Sequence, residues 1–173
     1  MRYELDFMNS FDKTFLFLIE RFIRNKLTTL SNTQVNDKQK LALIIKQLVK
    51  GTKSIDELAI IVKEARNIGL SGINTYFNPL FKLYNFMLDL GLDSMKEIDE
   101  ELLSDFLASQ TSSLSDASKK NHRIALLSLF SYIDKQNQNE DSSSYLFKIE
   151  LKNWGGLSGK SGSKLPSFMN KDE

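Results

Sequence analysis

The sequence contains no cysteine, one histidine, two prolines and eight glycines among its 173 residues. Without cysteine the chain can form no disulfide, zinc finger, iron–sulfur site or thiolate nucleophile. A single histidine argues against a histidine-built metal centre. The low proline and glycine content excludes collagen-like and low-complexity chains. We therefore expect no metal ion and no cofactor.

The charge is nearly balanced, with 23 basic and 22 acidic residues and a formal net charge of +1. This balance argues against a histone-like polycation, but a local basic patch can still bind phosphates. Hydrophobic residues make up 41% of the chain, including twelve phenylalanines, which is too many for a disordered protein. The length suits one domain, or one domain with an appendage.

No segment has the pattern of a targeting or membrane signal. The opening residues contain Glu4 and Asp6 and lack the basic start and apolar stretch of a secretory signal. The most apolar run, residues 15–23, is interrupted by Glu20 and Arg21, whereas a spanning helix needs about twenty apolar residues. We therefore expect a cytoplasmic protein that makes no membrane contact.

Apolar residues recur at three- and four-residue spacing along most of the chain, which is typical of amphipathic helices. Ser10, Ser54, Asp99 and Ser115 precede such stretches and are predicted N-caps, Ser54 within a capping box. The first 140 residues contain no strand pattern. The sequence predicts helices over about residues 11–30, 37–50, 55–68, 71–90, 100–108 and 116–136, with a loop at 31–34.

Two places leave alternatives open. Either Asn78 caps a helix with Pro79 in its first position, or one helix starts near Ser71 and bends at Pro79. The second is favoured because apolar residues keep the helical period on both sides of Pro79. Residues 145–151 alternate and can form a short strand or an irregular segment. Residues 155–164 are rich in glycine, serine and lysine, which is typical of a flexible linker.

The helix after Ser115 changes character along its length. Its first two turns are polar nearly all round and its later half is apolar nearly all round, so we expect the first turns to project from the protein. Free N–H groups and the positive end of the helix dipole attract phosphates. Lys119, Lys120 and Arg123 add three cations there. Arginine or lysine can reach guanine in a DNA groove, and Asn121 can reach adenine.

A solvated helix start explains the same pattern, and charge clusters are more often simply solvated faces. His122 has no carboxylate or cysteine close to it in sequence. It is interpreted as a surface residue or phosphate contact rather than a base or metal ligand. The sequence Gly159-Lys160-Ser161 lacks the preceding strand and following helix of a nucleotide site.

Several stretches resemble the core-binding (SAM-like) domain of tyrosine recombinases. Residues 71–76 resemble its first helix, and residues 98–107 its short second element. Residues 115–133 resemble its major-groove helix, and residues 164–169 resemble the junction that opens the catalytic domain. More narrowly, five runs are similar to the single-recombinase Xer proteins of Helicobacter and Campylobacter; they are residues 63–70, 72–76, 118–125, 132–137 and 151–154.

The resemblance implies an all-α helical bundle of the core-binding type with an N-terminal helical extension. It divides the chain into the extension (1–70), the DNA-contacting domain (71–157) and a linker (158–173) leading to an absent catalytic domain. The chain then has no catalytic residue of its own and is no enzyme. The full-length protein would be a tyrosine-type DNA breaking–rejoining recombinase for chromosome dimer resolution, and would be nucleoid-associated.

The resemblance also implies a site and partners. Helix N-termini would contact the major groove of a dimer-resolution-type site on double-stranded DNA. Other recombinase protomers in a tetrameric synapse, and a DNA translocase, would be further partners. The alternatives are a helical protein-interaction domain without DNA contact, and a naturally truncated recombinase that occupies sites without cutting. The candidate DNA-contacting residues are Asn74, Thr75, Ser118, Lys119, Lys120, Asn121, His122 and Arg123.

Overall fold

The computed structural model describes residues 10–30, 35–138 and 145–152. These residues form six α-helices and one 3-10 turn, with no strand among them. The all-α fold class is therefore confirmed. The elements are α1 Phe11–Leu30, α2 Lys38–Lys50, α3 Ile55–Asn67, α4 Ile73–Leu90, the 3-10 turn Met95–Glu97, α5 Glu100–Gln110 and α6 Asp116–Gln138.

Side-chain caps begin several of the helices. Ser54 Oγ accepts from the Glu57 N–H at 3.1 Å, and the Asp99 carboxylate accepts from the Leu102 N–H at 2.9 Å. Ser115 Oγ accepts from the Ser118 N–H at 3.2 Å. These bonds satisfy N–H groups that have no partner inside the helix. Three predicted caps are thus confirmed. They could be predicted from the sequence because a cap depends only on residues within one turn.

Pro79 lies inside a continuous α4. One helix rather than two is therefore present, which confirms this part of the favoured alternative, while the bend at Pro79 stays a prediction. Ile73 and Leu80 are fully buried and Phe77 nearly so, and this stripe holds the helix against the core on both sides of the proline. A proline removes one backbone hydrogen bond from a helix, a loss that packing of this kind offsets.

The core is continuous and contains residues from every α-helix. The helix α4 is central, since it packs against α1, α3, α5 and α6. Phe22 of α1 joins three helices: its ring centroid lies 6.0 Å from that of Tyr76 in α4 and 5.9 Å from that of Tyr132 in α6. The helices before and after residue 70 therefore share one core, while the proposed domain division stays a prediction.

Residues 145–151 are irregular rather than a strand. Lys148 and Leu151 have φ angles of 52° and 54°, in the left-handed region, which interrupts an extended backbone. The predicted loop at 31–34 and the predicted linker and junction beyond residue 152 lie outside the described residues. In the described part of the chain, no helix is long and apolar enough to cross a membrane.

Candidate nucleic-acid interface

The first turns of α6 are only partly exposed. Lys120 and Asn121 are exposed, Ser118 and Arg123 are half-buried, and Lys119 and His122 are 9% and 6% exposed. The expectation that these turns project from the protein is therefore wrong for Lys119 and His122. They continue the stripe of Leu126, Leu129 and Ile133, at the helical spacing of three and four residues. Because Lys119 and His122 are polar, the sequence pattern did not predict that the buried face continues almost to the start of α6.

His122 links α6 to α4. Its Nδ1 lies 2.8 Å from the Ser118 carbonyl oxygen, which can only accept, so Nδ1 carries a proton. Its Nε2 lies 3.5 Å from Lys82 Nζ, which can only donate. Burial lowers the pKa of His122, the Ser118 carbonyl raises it, and the charge of Lys82 lowers it, with a net lowering below 6.5. Both ring nitrogens thus face groups inside the protein, and His122 serves an internal contact. The interpretation of His122 as a surface residue is wrong, because its side chain is buried.

No metal site forms around His122. Among the residues that the structure describes, no group of three or more His, Asp or Glu side chains is placed to hold a metal ion.

Arg123 contacts the segment that follows α6. Its Nε donates to the Leu151 carbonyl at 3.1 Å, and one terminal nitrogen donates to the Glu150 carbonyl at 3.2 Å. Both acceptors come from residues 27 or 28 positions later in the chain. Residue spacing within α6 could not predict a contact with residues so far along the chain. The contact uses two donors of the guanidinium group that was predicted to bind DNA.

The start of α4 offers side chains rather than free N–H groups. The N–H groups of Ile73, Asn74 and Thr75 donate to the carbonyls of residues 70, 71 and 72 at 3.2–3.3 Å. Thr75 Oγ1 also donates to the Gly72 carbonyl, at 2.8 Å. Asn74 is half-buried and Thr75 is exposed. A ligand at this helix end would therefore meet the Asn74 side-chain amide and the lone pairs of the Thr75 hydroxyl oxygen.

Two lysines near these residues were missed by the sequence analysis. Lys26 Nζ lies 4.7 Å from the centroid of the Tyr76 ring, next to the start of α4. Lys26 also lines a polar groove of about 350 Å³ between α1 and α6, together with Lys135. Lys82 is the second, at the His122 ring. These neighbours are 40 or more positions apart in the sequence, so only the fold brings them together.

The two groups of candidate residues lie at different places on the α4–α6 pair. The helices α4 and α6 run antiparallel. Tyr76 of α4 and Tyr132 of α6 both contact Phe22, whereas Lys82, later in α4, approaches His122, which lies earlier in α6. At a rise of about 1.5 Å per residue, Thr75 lies roughly 10 Å along α4 from Lys82. The structure therefore does not merge the groups into one cluster.

Comparison with known proteins gives a family and several close relatives. The family model of the phage integrase SAM-like domain matches residues 6–137. The tyrosine recombinase XerH of Campylobacter jejuni is 50% identical over 173 residues, covering all of this chain and 49% of that protein. The XerH of Helicobacter pylori is 43% identical over 180 residues, with the same coverage. The chain thus spans about half the length of the curated relatives it matches, corresponding to their N-terminal region.

Two solved structures share the fold. A crystal structure of XerH bound to difH substrate, a pre-cleavage complex, superposes with a TM-score of 0.83 at 44% identity, covering 89% of this chain and 46% of that one. A post-cleavage complex with palindromic difH gives 0.84 at 44% identity, covering 98% and 48%. The family match spans most of the six helices, and the chain therefore belongs to the family of phage integrase SAM-like domains.

Proposed function

We propose that this chain is the DNA-binding N-terminal part of a site-specific tyrosine recombinase of the Xer type, acting in chromosome dimer resolution. One observation carries this proposal: the chain is similar along nearly its whole length, at 44% identity, to a XerH structure bound to its DNA substrate. Double-stranded DNA carrying a dimer-resolution-type site is the proposed ligand. Other protomers in a tetrameric synapse and a DNA translocase are further proposed partners.

Within this proposal the chain binds DNA and the chemistry occurs elsewhere. Tyrosine recombinases cleave DNA with a tyrosine nucleophile and stabilise the transition state with basic side chains. The catalytic domain is outside this chain, so no residue here is proposed as catalytic. The proposed division into an extension (1–70), a DNA-contacting domain (71–157) and a linker (158–173) follows from the same resemblance.

Lys120 and Asn121 are the proposed major-groove contacts, because both are exposed in the first turns of α6. A lysine can donate to guanine or phosphate, and an asparagine can form two bonds with adenine. Asn74 and Thr75 form the second proposed contact, with Lys26 close enough to add a phosphate interaction. Ser118 is half-buried in the same α6 turn and is a further proposed contact. Lys119 and His122 act in this proposal by supporting the helix from its buried face.

A fluorescence-anisotropy titration tests the proposal. The chain is titrated against a duplex carrying a dimer-resolution-type site and against a scrambled duplex, at two salt concentrations. The test variant is Lys120→Ala/Asn121→Ala. The matched control is Lys63→Ala/Asn67→Ala, which removes the same residue types from exposed positions on α3.

We expect salt-sensitive binding that prefers the site and falls about tenfold or more in the test variant, since one good base contact contributes about 1–3 kcal/mol. The control variant should bind as the parent does. A folded chain that binds neither duplex at low salt would contradict the proposal and favour the helical protein-interaction domain. Equal losses in both variants would contradict the placement of the contact on α6.

A further inference from the structure

The chain turns back along α6 after that helix ends. Asn137, near the end of α6, donates through its side chain to the Tyr145 carbonyl at 3.4 Å. Two turns earlier, the Phe130 ring packs against Phe147, with centroids 4.9 Å apart. Earlier still, Arg123 holds the carbonyl of Leu151. Residues 145–151, which we call the strap, thus run antiparallel to α6 over roughly 20 Å at about 1.5 Å per helical residue.

Charged side chains hold the strap through its backbone. The Asp134 carboxylate accepts from the Phe147 and Lys148 N–H groups, both at 2.8 Å. The Glu100 carboxylate accepts from the Leu151 N–H at 2.8 Å and also from the Glu150 N–H. Hydrogen bonds with one ionised partner are stronger than neutral ones. The strap is not a strand in a sheet, so no neighbouring strand accepts hydrogen bonds from these N–H groups. The two carboxylates accept them instead.

The strap is also anchored by burial. Leu151 is fully buried and Phe147 is 9% exposed. Leu151 holds a left-handed backbone conformation that a branched apolar residue rarely adopts. Such a conformation persists only when its surroundings enforce it. At Leu151 the enforcing contacts are the Glu100 carboxylate on its N–H and the Arg123 guanidinium on its carbonyl.

We propose that Glu100, Arg123 and Asp134 are positioning residues that clasp the strap against α6 and so fix where its last residues lie. Lys152, the last described residue, follows Leu151, which Arg123 holds beside the N-terminal half of α6 rather than at its C-terminal end. Arg123 in this role is a clasp and not a DNA contact. The clasp rests on geometry alone, and its consequence rests on the proposed function: the rest of a recombinase would start at the DNA-facing end of α6.

Distance measurements on the cysteine-free chain test the clasp. Since the chain has no cysteine, Ala117→Cys and Lys152→Cys place two spin labels at exposed positions and nowhere else. Double electron–electron resonance then reports how well residue 152, at the end of the strap, is fixed relative to the start of α6. Amide hydrogen exchange reports the protection of the Leu151 N–H. The variants are Arg123→Lys, Arg123→Ala and Glu100→Gln, with Lys120→Ala as control.

Arg123→Lys separates the two roles of this residue. A lysine keeps the positive charge, so a phosphate contact would largely survive. It lacks the planar fork that reaches two carbonyls, so a clasp would be lost. We expect Arg123→Lys, Arg123→Ala and Glu100→Gln each to at least double the width of the distance distribution and to speed exchange at Leu151 at least tenfold. DNA affinity should change less than threefold in Arg123→Lys, and Lys120→Ala should leave the distance distribution narrow.

An unchanged distance distribution and unchanged exchange in Arg123→Lys, Arg123→Ala and Glu100→Gln would overturn the proposal. So would a DNA affinity that falls in Arg123→Ala as far as in Lys120→Ala while the strap stays protected. Circular dichroism confirms that each variant is folded, and Glu100→Gln, which keeps the size of the side chain, remains informative if an Arg123 variant fails to fold. If the chain binds no duplex, the proposed function fails, but the distance and exchange results still decide the clasp.

Discussion

The junction at Phe22 allows a sharp test of the fold. The Phe22 side chain is 1% exposed and meets Tyr76 and Tyr132 in edge-to-face geometry. It is where α1 touches both α4 and α6. Replacing this ring with alanine would open a cavity between three helices that are each held by other contacts, so the site cannot collapse fully.

The magnitude follows from these contacts. A Phe→Ala change in a core costs about 3–5 kcal/mol, and an aromatic pair adds about 0.5–1.5 kcal/mol beyond burial. Because the measured range for Phe→Ala already includes contacts of this kind, the loss of two aromatic pairs places Phe22→Ala in its upper part, at about 4–5 kcal/mol. That is a large share of a typical unfolding free energy of about 5–15 kcal/mol. Phe22→Leu, which refills most of the volume, should cost about 1–2 kcal/mol.

Urea denaturation followed by circular dichroism measures this cost. For a slope of about 2 kcal/mol per molar urea, the midpoint of Phe22→Ala should fall by about 2 M. Leu43→Ala is the matched control, because Leu43 is 56% exposed on α2 and its loss should stay within about 0.5 kcal/mol. A midpoint shift below about 0.5 M for Phe22→Ala would refute the three-helix junction.

Three further predictions concern ionisable side chains. Lys120→Ala should make the log–log slope of DNA affinity against salt less negative by about 0.9, the value for one phosphate, as measured by anisotropy over several salt concentrations. The pKa of His122 is lowered below 6.5 in the folded state, so the unfolded chain binds more protons than the folded chain as the pH falls through 6.5. The free energy of unfolding should therefore decrease as the pH falls through this range. Urea midpoints measured across the range should fall less in His122→Gln than in the parent. Glu20→Ala should cost about 1–3 kcal/mol, measured by urea denaturation, because the buried Glu20 carboxylate accepts from both the N–H and the hydroxyl of Thr52 at 2.7 and 2.6 Å; Glu20→Gln should cost less.

The helices and their caps could be predicted from the sequence because their causes are local. A cap such as Ser54 acts on a residue three positions away, and an apolar stripe repeats every three or four residues. The single helix through Pro79 was also predictable, since the stripe continues past the proline. The match to residues 6–137 confirmed the resemblance to the core-binding domain of tyrosine recombinases.

The candidate site was predicted less completely because its contacts are distant in sequence. The sequence by itself determined which residues on α6 are charged, and it placed them in the first turns of a helix. Only the tertiary structure decided that Lys119 and His122 face inward, and that Glu100 meets a backbone 51 positions later. A side chain's type and period say which face of a helix it occupies. What covers that face depends on chain packing, which no local pattern encodes.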